Sequence, residues 1–413
     1  MFNSPEILDF HRHLLNLPTP WDVRSVDMDI EKQSVIIHVF WPTGTFAPCP
    51  ECQELCSVRD EKSRMWRHLD TMQFKTFLQC DVPRVNCPEH GILQMYVPWS
   101  DPKSRFTALF ESFAAQVLLS CKNQMQAAGL LRLSWKQIHR IQELAVMKAL
   151  AKRKSEKIIH LGIDEKSFLK GHKYVTILND LDRKSVLDVS QGRDEESVHK
   201  VLECLSTEQK ASVDAVAMDM WLPYKNVVDE EIPVADIVHD RFHIMGYLTK
   251  AVDTVRKKEH KTFLQQGIEV LKGTKYLWLT NQNNWNKDQR LKYKEVRETC
   301  IKVGKAFSIK ETFRKFWSYT YKGSAETFFK EWYFWATHSR LKPVIEVAKM
   351  LKRHLGNILT YFKHRISNSA SEGINAKIQM IKADARGFRN YENFRIAILF
   401  HCGGFKFFVH KWA

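Results

Sequence analysis

The sequence lacks the long apolar run that a membrane-spanning helix needs. Such a helix takes about 20 consecutive, mainly apolar residues, and no stretch of the 413 residues approaches this. The first 15 residues contain no basic segment followed by an apolar core, so we expect no secretory signal and a cytoplasmic protein. Internal repeats and low-complexity tracts are also lacking, which argues against a solenoid or a disordered chain.

Acidic residues are few relative to basic ones. The 47 Asp and Glu residues face 63 Lys and Arg residues, which gives a net charge of +16. A balance this basic favours a polyanionic partner, because Lys and Arg that neutralise phosphates release condensed counterions. A basic protein without a nucleic-acid partner remains an alternative on charge alone. Hydrophobic residues at 44% and charged residues at 27% are typical of globular domains, and the length predicts two to four of them.

Cysteine is sparse, and its grouping indicates metal binding rather than disulfides. Two half-sites share one pattern: Cys49-Pro-Glu-Cys52 and Cys87-Pro-Glu-His90. A two-residue gap turns both side chains onto one ion, and two such half-sites complete a tetrahedral zinc shell. The alternative is accidental spacing of unrelated residues. Cys56 and Cys80 are further candidates, but Cys80 lies in an alternating strand pattern and is better explained as a buried small side chain. A four-ligand zinc has no open position, so we expect a structural role.

A helix-turn-helix pattern follows this region. Residues 124–131 and 134–145 predict two helices joined by Arg132-Leu133, with Ser134 as N-cap. The expected apolar faces are Ala127, Leu130 and Leu131 on the first helix and Ile138 and Ile141 on the second. If the second helix enters the major groove, its outer face offers these contacts: Lys136, Gln137 and Arg140. A helical hairpin without DNA contact remains an alternative.

Two apolar segments each end in an aspartate. Residues 158–164 and 211–219 predict strands that end at Asp164 and Asp219. The surrounding sequence predicts strands at 173–179, 185–189 and 234–238, turns at 170–172 and 181–184, and a helix from about 195 to 205. Three antiparallel strands followed by helix, strand, helix and strand form the ribonuclease-H-like arrangement, in which the first strand neighbours the fourth. We therefore expect both aspartates in one cleft, although each alone is also explained as an acid that caps a turn.

A third acid, Glu372, lies near the start of a single helix predicted for the C-terminal tail. The expected apolar stripe of this helix is Ile374, Ile378, Ile381 and Ala385, and its polar stripe, next to Glu372, is Asn375, Gln379, Lys382 and Arg386. One helix would thus bring a carboxylate to the aspartates and basic groups to phosphates. Two divalent cations roughly 4 Å apart require such a set of carboxylates.

Several segments resemble bacterial insertion-sequence transposases of the ISL3 family. They are Gly162-Ile-Asp164-Glu165, Lys170-Gly-His172-Lys-Tyr174, Met218-Asp219-Met220, Asp240-Arg-Phe-His243, Asn368 with Glu372-Gly-Ile-Asn375-Ala-Lys377, and Ala385-Arg-Gly-Phe-Arg-Asn-Tyr-Glu-Asn-Phe-Arg395. The resemblance covers essentially the whole chain, including the Cys-rich module and the helix-turn-helix. It implies that Asp164, Asp219 and Glu372 form the family's DDE triad. One departure is His90, because the second half-site often ends in Cys in such modules.

The resemblance implies a DNA transposase that binds the terminal inverted repeats of an insertion sequence. It would cleave DNA by two-metal-ion hydrolysis and join the 3′-OH ends to target DNA. The expected cofactors are two Mg²⁺, which Mn²⁺ can replace, and one structural Zn²⁺. The expected partner is double-stranded DNA, with a homodimer on paired ends and no membrane. Further expected DNA contacts are Lys377, Lys382, Arg386 and Arg389.

Two other functions fit part of the sequence. A non-catalytic DNA-binding regulator would need only the two N-terminal modules, and the intact acids argue against it. A structure-selective nuclease of the same fold would need neither those modules nor a long insertion.

The expected fold class is α/β and multidomain. We predict a zinc-binding module at 1–100, a helix-turn-helix at 101–156, a ribonuclease-H-like core at 157–240, a helical insertion at 241–365 and the C-terminal part of the core at 366–413. Asp240 is expected to cap the first helix of the insertion, and an alternative places it with His243 beside the acids. Most aromatic residues of the insertion are expected in its core, although one exposed Trp could stack on an extruded base.

Overall fold

A computed structural model describes residues 4–153, 156–169, 173–366 and 369–407. The chain forms two compact units, Met1–Arg153 with Phe405–Ala413, and Lys154–Gly404. No helix of the described chain combines the length and the apolar character needed to cross a bilayer. The turn predicted at 170–172 and the motif residue Asn368 lie outside the described residues.

The first unit contains a β module followed by three helices. Its elements are α1 (Pro5–Leu15), β1 (Asp22–Asp29), β2 (Ser34–Phe40), β3 (Ala47–Pro48), β4 (Leu55–Cys56), β5 (Val58–Arg67), β6 (Lys75–Cys87), β7 (Gly91–Gln94), α2 (Ala108–Ser120), α3 (Gln124–Leu131) and α4 (Trp135–Ala151). The main sheet has the order β1-β2-β6-β5, with β7 also paired to β6, and β3 pairs with β4. Val35, Ile37 and Val39 of β2 are buried in alternation, as the period of two predicts.

The predicted helix-turn-helix is confirmed as α3 and α4. Ser134 caps α4 in a capping box with Gln137, and Arg132 adopts the left-handed conformation that ends α3. The side chain of Arg132 also donates to the Gln73 carbonyl at 2.9 Å and pairs with Asp70, which ties the turn to the β module. One predicted core residue was wrong: Leu130 is 66% exposed while Ala128 is buried, because the buried face of the short α3 is centred between Ala127 and Leu131.

The second unit combines a mixed sheet with helices. The elements of its sheet region are β8 (His160–Leu169), β9 (Lys173–Asp180), β10 (Ser185–Gln191), α5 (Glu195–Leu202), α6 (Thr207–Ala211), β11 (Ala215–Met218), α7 (Leu222–Glu231) and β12 (Asp236–His239). The strand order is β10-β9-β8-β11-β12. Strands β8 to β10 are antiparallel, and β11 runs parallel to both β8 and β12. The predicted adjacency of the first and fourth strands is therefore confirmed.

The segment after β12 is helical up to the C-terminal region, as predicted. Its elements are α8 (Arg241–Gln265), α9 (Lys275–Leu279), α10 (Lys287–Val296), α11 (Ile301–Phe313), α12 (Lys322–Thr337), α13 (Lys342–Arg353), α14 (Leu355–Leu359) and α15 (Tyr361–His364), with 3₁₀ turns at Gln282–Asn284 and Arg314–Ser318. Most of its aromatic residues form one core, with Trp278, Phe313 and Phe316 fully buried. Phe334 and Trp335 are exposed.

The C-terminal tail contains two helices, α16 (Ser369–Asp384) and α17 (Tyr391–Cys402), so the prediction of a single helix was wrong. The chain turns because Arg386 and Gly387 both take positive φ angles, 54° and 92°, and the Gly387 amide closes the end of α16 on the Lys382 carbonyl at 2.8 Å. Asn390 then caps α17. The Arg-Gly-Phe-Arg-Asn segment is thus a helix-to-helix turn.

Helix α17 is fixed to the edge strand β10 by an ion pair. Arg395 donates to both carboxylate oxygens of Asp188, at 2.8 and 3.0 Å, and both side chains are largely buried. Tyr391 adds a hydrogen bond to the Val189 carbonyl at 2.6 Å. The paired geometry gives a strong, directional contact.

Removal of this ion pair should weaken the second unit. We expect Arg395→Ala to lower the free energy of unfolding by about 1–3 kcal/mol, because it leaves the Asp188 carboxylate buried without its partner. Urea titration monitored by circular dichroism measures this change. Arg389→Ala removes the same side-chain type from the exposed turn and should stay within about 0.5 kcal/mol of the unchanged protein. Equal stability of both variants would contradict the docking role of Arg395.

Candidate active site and DNA-binding modules

The β module brings four predicted ligands together. The Cys49, Cys52, Cys87 and His90 ligand atoms all lie within 4.8 Å of one another. The Cys52 and Cys87 sulfurs are 3.7 Å apart, and His90 Nδ1 lies 3.6 Å from Cys87 Sγ and 3.9 Å from Cys49 Sγ. Bond lengths of 2.0–2.3 Å around a tetrahedral zinc place neighbouring ligand atoms roughly 3.5–3.8 Å apart. The cluster therefore fits a metal ion of this size and preference.

The electrostatics of the cluster favour a thiolate at Cys87. The main-chain N–H of His90, followed by its imidazole, lowers the pKa of Cys87 to about 6. Thiolates are the form of cysteine that binds metals. Cys80 lies outside the cluster and is buried at 1% exposure on β6, as its strand pattern predicts.

The predicted recognition helix exposes its outer face. Lys136, Gln137 and Arg140 are all exposed on α4. The side-chain amide oxygen of Gln137 accepts from the main-chain N–H and the hydroxyl of Ser134, so the NH₂ group is the part of this side chain that can donate to DNA. Arg140 pairs with Glu143 one turn later at 2.5 Å. A phosphate or base would therefore compete with Glu143 for this guanidinium.

The two predicted aspartates lie just beyond the paired parts of two neighbouring parallel strands. The last described pair of these strands is Ala217 of β11 with Gly162 of β8. The prediction that β8 ends at Asp164 was wrong, because β8 continues to Leu169 through its antiparallel pairing with β9. Its described pairing with β11 nevertheless ends at Gly162, and each aspartate lies two residues beyond the last pair.

A further acid, Asp240, directly follows the next strand, β12. Met218 pairs with His239 on β12, and the Asp240 amide donates to the Met218 carbonyl at 3.0 Å. Asp240 therefore follows β12 just as Asp219 follows β11. It caps α8 by accepting from the Phe242 amide at 3.0 Å, as predicted, and it also faces the acids. Burial, and then the charges of Asp164 and Glu372, raise the pKa of Asp240.

Helix α8 supplies two side chains that contact Asp219. Tyr247 donates its hydroxyl to Asp219 Oδ2 at 3.3 Å. His243 Nδ1 lies 3.4 Å from the same oxygen, while its Nε2 lies 3.9 Å from Asp240 Oδ2. Burial, and then the charge of Asp219, raise the pKa of Tyr247 to about 12, so this phenol remains a donor at neutral pH. Tyr247 was missed from the sequence, although its four-residue spacing from His243 places both on one helix face.

Glu372 lies in the first turn of α16. The same helix contacts the sheet through Asn375, which donates to Asp164 Oδ2 at 2.5 Å, and through the buried Ser371, which accepts from Asn179 at 3.1 Å. Ile374 and Ile378 are buried as predicted, whereas the predicted apolar residue Ala385 is exposed at the end of the helix. The three acids Asp164, Asp219 and Glu372 do not all come within 4.8 Å of one another in the described chain.

The four basic residues predicted to contact DNA near α16 differ in their surroundings. The Lys377 amine contacts the His401 carbonyl, and the Lys382 amine donates to the Ser167 carbonyl at 2.9 Å. Both lysines thus help to fix α16. Arg386 and Arg389 are exposed in the turn that follows.

Comparison with known proteins shows three modules in the order that the structure presents them. A family profile described as "zinc-finger of transposase IS204/IS1001/IS1096/IS1165" matches residues 45–90, and one described as "Helix-turn-helix domain of transposase family ISL3" matches residues 97–146. A DDE profile of the ISL3 family, described as "Transposase", matches residues 161–398. This range includes Asp164, Asp219 and Glu372. The combination defines a DNA-cleaving transposase with a DNA-binding helix-turn-helix.

The relatives agree with the profiles. A "Transposase for insertion sequence element IS1557" from Mycobacterium tuberculosis is 26% identical, over 89% of this chain and 90% of its own length. A "Transposase for insertion sequence element IS1001" from Bordetella parapertussis is also 26% identical, over 86% of this chain and 89% of its own length. The chain belongs to the ISL3 family of insertion-sequence transposases.

Proposed function

We propose that Asp164, Asp219 and Glu372 are the catalytic triad of this transposase and that they hold two Mg²⁺ ions, which Mn²⁺ can replace. The observation that carries the proposal is that Asp164 and Asp219 each lie two residues beyond the last described pair of the adjacent parallel strands β8 and β11. Support for Glu372 comes from its helix, since Asn375, one turn later, hydrogen-bonds Asp164. The effect of both Asp164 and Glu372 on the pKa of Asp240 also indicates that they face the same region.

The donor set fits hard divalent cations. Carboxylate oxygens are the ligands that Mg²⁺ prefers, and a pair of ions roughly 4 Å apart takes its ligands from several such carboxylates. Bound there, the metals would activate water and stabilise the leaving 3′-oxygen. The protein's own part is positional: Asn375 orients Asp164, while Tyr247 and His243 orient Asp219. Orientation of this kind lowers the barrier without a covalent protein–DNA bond.

The strand order of the second unit supports a ribonuclease-H-like core. Three antiparallel strands followed by two parallel ones, with the first strand central, is the arrangement predicted from the sequence. The sequence predicts this core over 157–240 and 366–413, interrupted by a helical insertion at 241–365. We propose that its C-terminal part ends near Gly404, because Phe405–Ala413 group with the first unit. We also propose a zinc module at 1–100, with Cys49, Cys52, Cys87 and His90 binding one structural Zn²⁺, and a helix-turn-helix at 101–156.

The proposed reaction is cleavage at the terminal inverted repeats and joining of the 3′-OH ends to target DNA, by a homodimer that pairs two ends. Purified protein, Mg²⁺ and duplexes carrying the element's ends should give both cleaved and joined products. Joined products separate this function from that of a nuclease, which would only cut. Binding to the ends without any cleavage would instead support the regulator.

We propose that Lys136, Gln137 and Arg140 read the ends in the major groove and that Lys377, Lys382, Arg386 and Arg389 contact phosphates. Exposure of the α4 residues and of the two arginines supports this assignment. Lys377 and Lys382 contact main-chain carbonyls. Their amines must therefore leave these carbonyls before they can contact DNA phosphates.

Loss of a basic side chain on α4 should weaken binding to the ends. We expect Lys136→Ala to reduce the slope of log affinity against log salt by about 1, as loss of one phosphate contact does. Arg140→Ala should cost about 1–3 kcal/mol on the specific end and relax its sequence preference. Fluorescence anisotropy over a salt series measures both effects. Lys32→Ala removes the same charge from an exposed turn of the β module, and an equal loss in this control would contradict the assignment.

A further inference from the structure

A stack of one arginine and two aromatic rings lies next to residues Glu165 and Asp219 of the proposed site. The guanidinium carbon of Arg193 lies 4.5 Å from the ring centre of Tyr174 and 5.5 Å from that of Trp221. Trp221 is only two residues after Asp219 in the chain. Arg193 Nη1 also lies 3.8 Å from Oε2 of Glu165, the residue that follows Asp164. The stack therefore contacts Glu165, the neighbour of Asp164, and includes a residue two positions after Asp219.

The ring of Trp221 is held in place although it is exposed. Its indole N–H donates to the Arg193 carbonyl at 3.1 Å, and Trp221 immediately precedes α7. That helix is anchored by Tyr224, which is buried and hydrogen-bonds Thr176 of β9 at 3.0 Å. Trp221 nevertheless keeps 43% of its surface exposed. A rigid, exposed indole loses little conformational entropy when a flat ligand stacks on it.

The surroundings indicate which ligand this surface takes. An aromatic ring beside an arginine is the combination that holds single-stranded nucleic acid, because the ring stacks on a base and the guanidinium contacts the backbone. The Arg193 side chain is 45% exposed, and its acidic neighbour Glu165 is the residue next to Asp164. Two residues of extended chain span at most about 7 Å, and one DNA strand carries a phosphate every 3.4 Å of helix axis. A phosphate at Asp219 therefore places an adjacent base within reach of Trp221.

We propose that Trp221, supported by Arg193 and Tyr174, is a stacking platform for one unpaired base next to the scissile phosphate. This inference rests on the proposed position of the active site and adds to it a role in positioning the DNA strand. Stacking would hold the strand with its phosphate over the acids and its neighbouring base out of the duplex. Trp221 is thus a positioning residue for the reaction.

A comparison of intact and abasic DNA tests the platform. Trp221→Leu keeps an apolar side chain without an aromatic face, and Trp221→Phe keeps a ring without the indole N–H. On duplexes with intact ends, we expect Trp221→Leu to cleave about 10- to 100-fold more slowly than the unchanged protein, and Trp221→Phe to restore most of the rate. On duplexes that lack the base flanking the cut, the unchanged protein and Trp221→Leu should cleave at equal rates.

Two results overturn the proposal. One is equal cleavage of intact DNA by the unchanged protein and Trp221→Leu. The other is the same difference between the two proteins on intact and on abasic DNA, which would show that Trp221 acts on the fold or on a protein contact. Thermal unfolding of each variant identifies a loss of fold. If Trp221→Leu does not fold, the cleavage rates of Trp221→Phe on intact and on abasic DNA are compared with those of the unchanged protein instead.

A second measurement separates this proposal from that of the triad. Affinities for precleaved ends with and without the flanking base are measured for Glu372→Gln alone and for Glu372→Gln combined with Trp221→Leu. If Trp221→Leu lowers the affinity by about 10-fold or more only when the flanking base is present, the platform is supported. Residual cleavage by Glu372→Gln would overturn the triad and leave this conclusion unchanged. Affinities that do not depend on the base overturn the platform and leave the triad standing.

Discussion

Cleavage should fall by roughly 10³-fold or more in each of Asp164→Asn, Asp219→Asn and Glu372→Gln, while binding to the element's ends is kept. An amide has nearly the size of a carboxylate but carries no charge, so it holds divalent metals poorly. Poor metal binding would remove several kcal/mol of transition-state stabilisation, which corresponds to a fall in the cleavage rate of roughly 10³-fold. Single-turnover cleavage in Mg²⁺ measures the rate, and anisotropy measures binding without Mg²⁺.

The matched control is Glu196→Gln, which makes the same change at a highly exposed acid on α5. Its cleavage should stay within about twofold of the unchanged protein. Near-normal cleavage by any one of the three acid variants would remove that residue from the triad. Loss of end binding together with cleavage would point to damage of the fold, which circular dichroism detects.

Removal of zinc should unfold the β module and abolish binding to the ends. Structural zinc sites contribute apparent free energies of about 10–16 kcal/mol in small zinc-finger peptides. Here two of the four ligands lie between β3 and β4, one ends β6 and one lies just before β7. We expect one zinc per chain by elemental analysis and almost none in Cys87→Ser. Hydrogen exchange should show loss of protection in residues 45–90 and little change in residues 160–240.

Two variants make this prediction specific. His90→Cys replaces the imidazole by a thiol that also binds zinc, and it should retain the ion. Cys204→Ser changes a cysteine of the second unit and should leave zinc content unchanged. Full zinc in Cys87→Ser would show that the cluster is not the metal site.

Much of the catalytic unit follows from local sequence patterns. The apolar runs before Asp164 and Asp219 predicted two neighbouring strands, because a buried strand needs a continuous apolar segment. The repeated Cys-x-x-(Cys/His) spacing predicted the metal cluster, since its geometry is set within four residues. Ser134 and Asp240 were predictable as helix caps for the same reason, because their hydrogen bonds span only two or three residues.

Features that depend on distant parts of the chain were not predictable. Strand β8 runs past Asp164 because it pairs with β9, and no property of residues 165–169 alone reveals that pairing. The contacts of Lys377 and Lys382 with main-chain carbonyls depend on where α16 lies on the sheet. The hydrogen bond from Tyr247 to Asp219 likewise joins residues on separate elements. In each case, tertiary packing decides which of several plausible partners a side chain contacts.

The most direct test of the central claim, that these carboxylates hold the catalytic metals, is the metal preference of Asp219→Cys. A thiolate is a poor ligand for Mg²⁺ and a better one for softer divalent ions such as Mn²⁺. We predict that Asp219→Cys loses cleavage in Mg²⁺ by roughly 10³-fold and regains at least about 10-fold of it in Mn²⁺, whereas Asp219→Asn regains less. Equal cleavage by Asp219→Cys and Asp219→Asn in Mn²⁺, with the unchanged protein active in both metals, would contradict direct metal binding by Asp219.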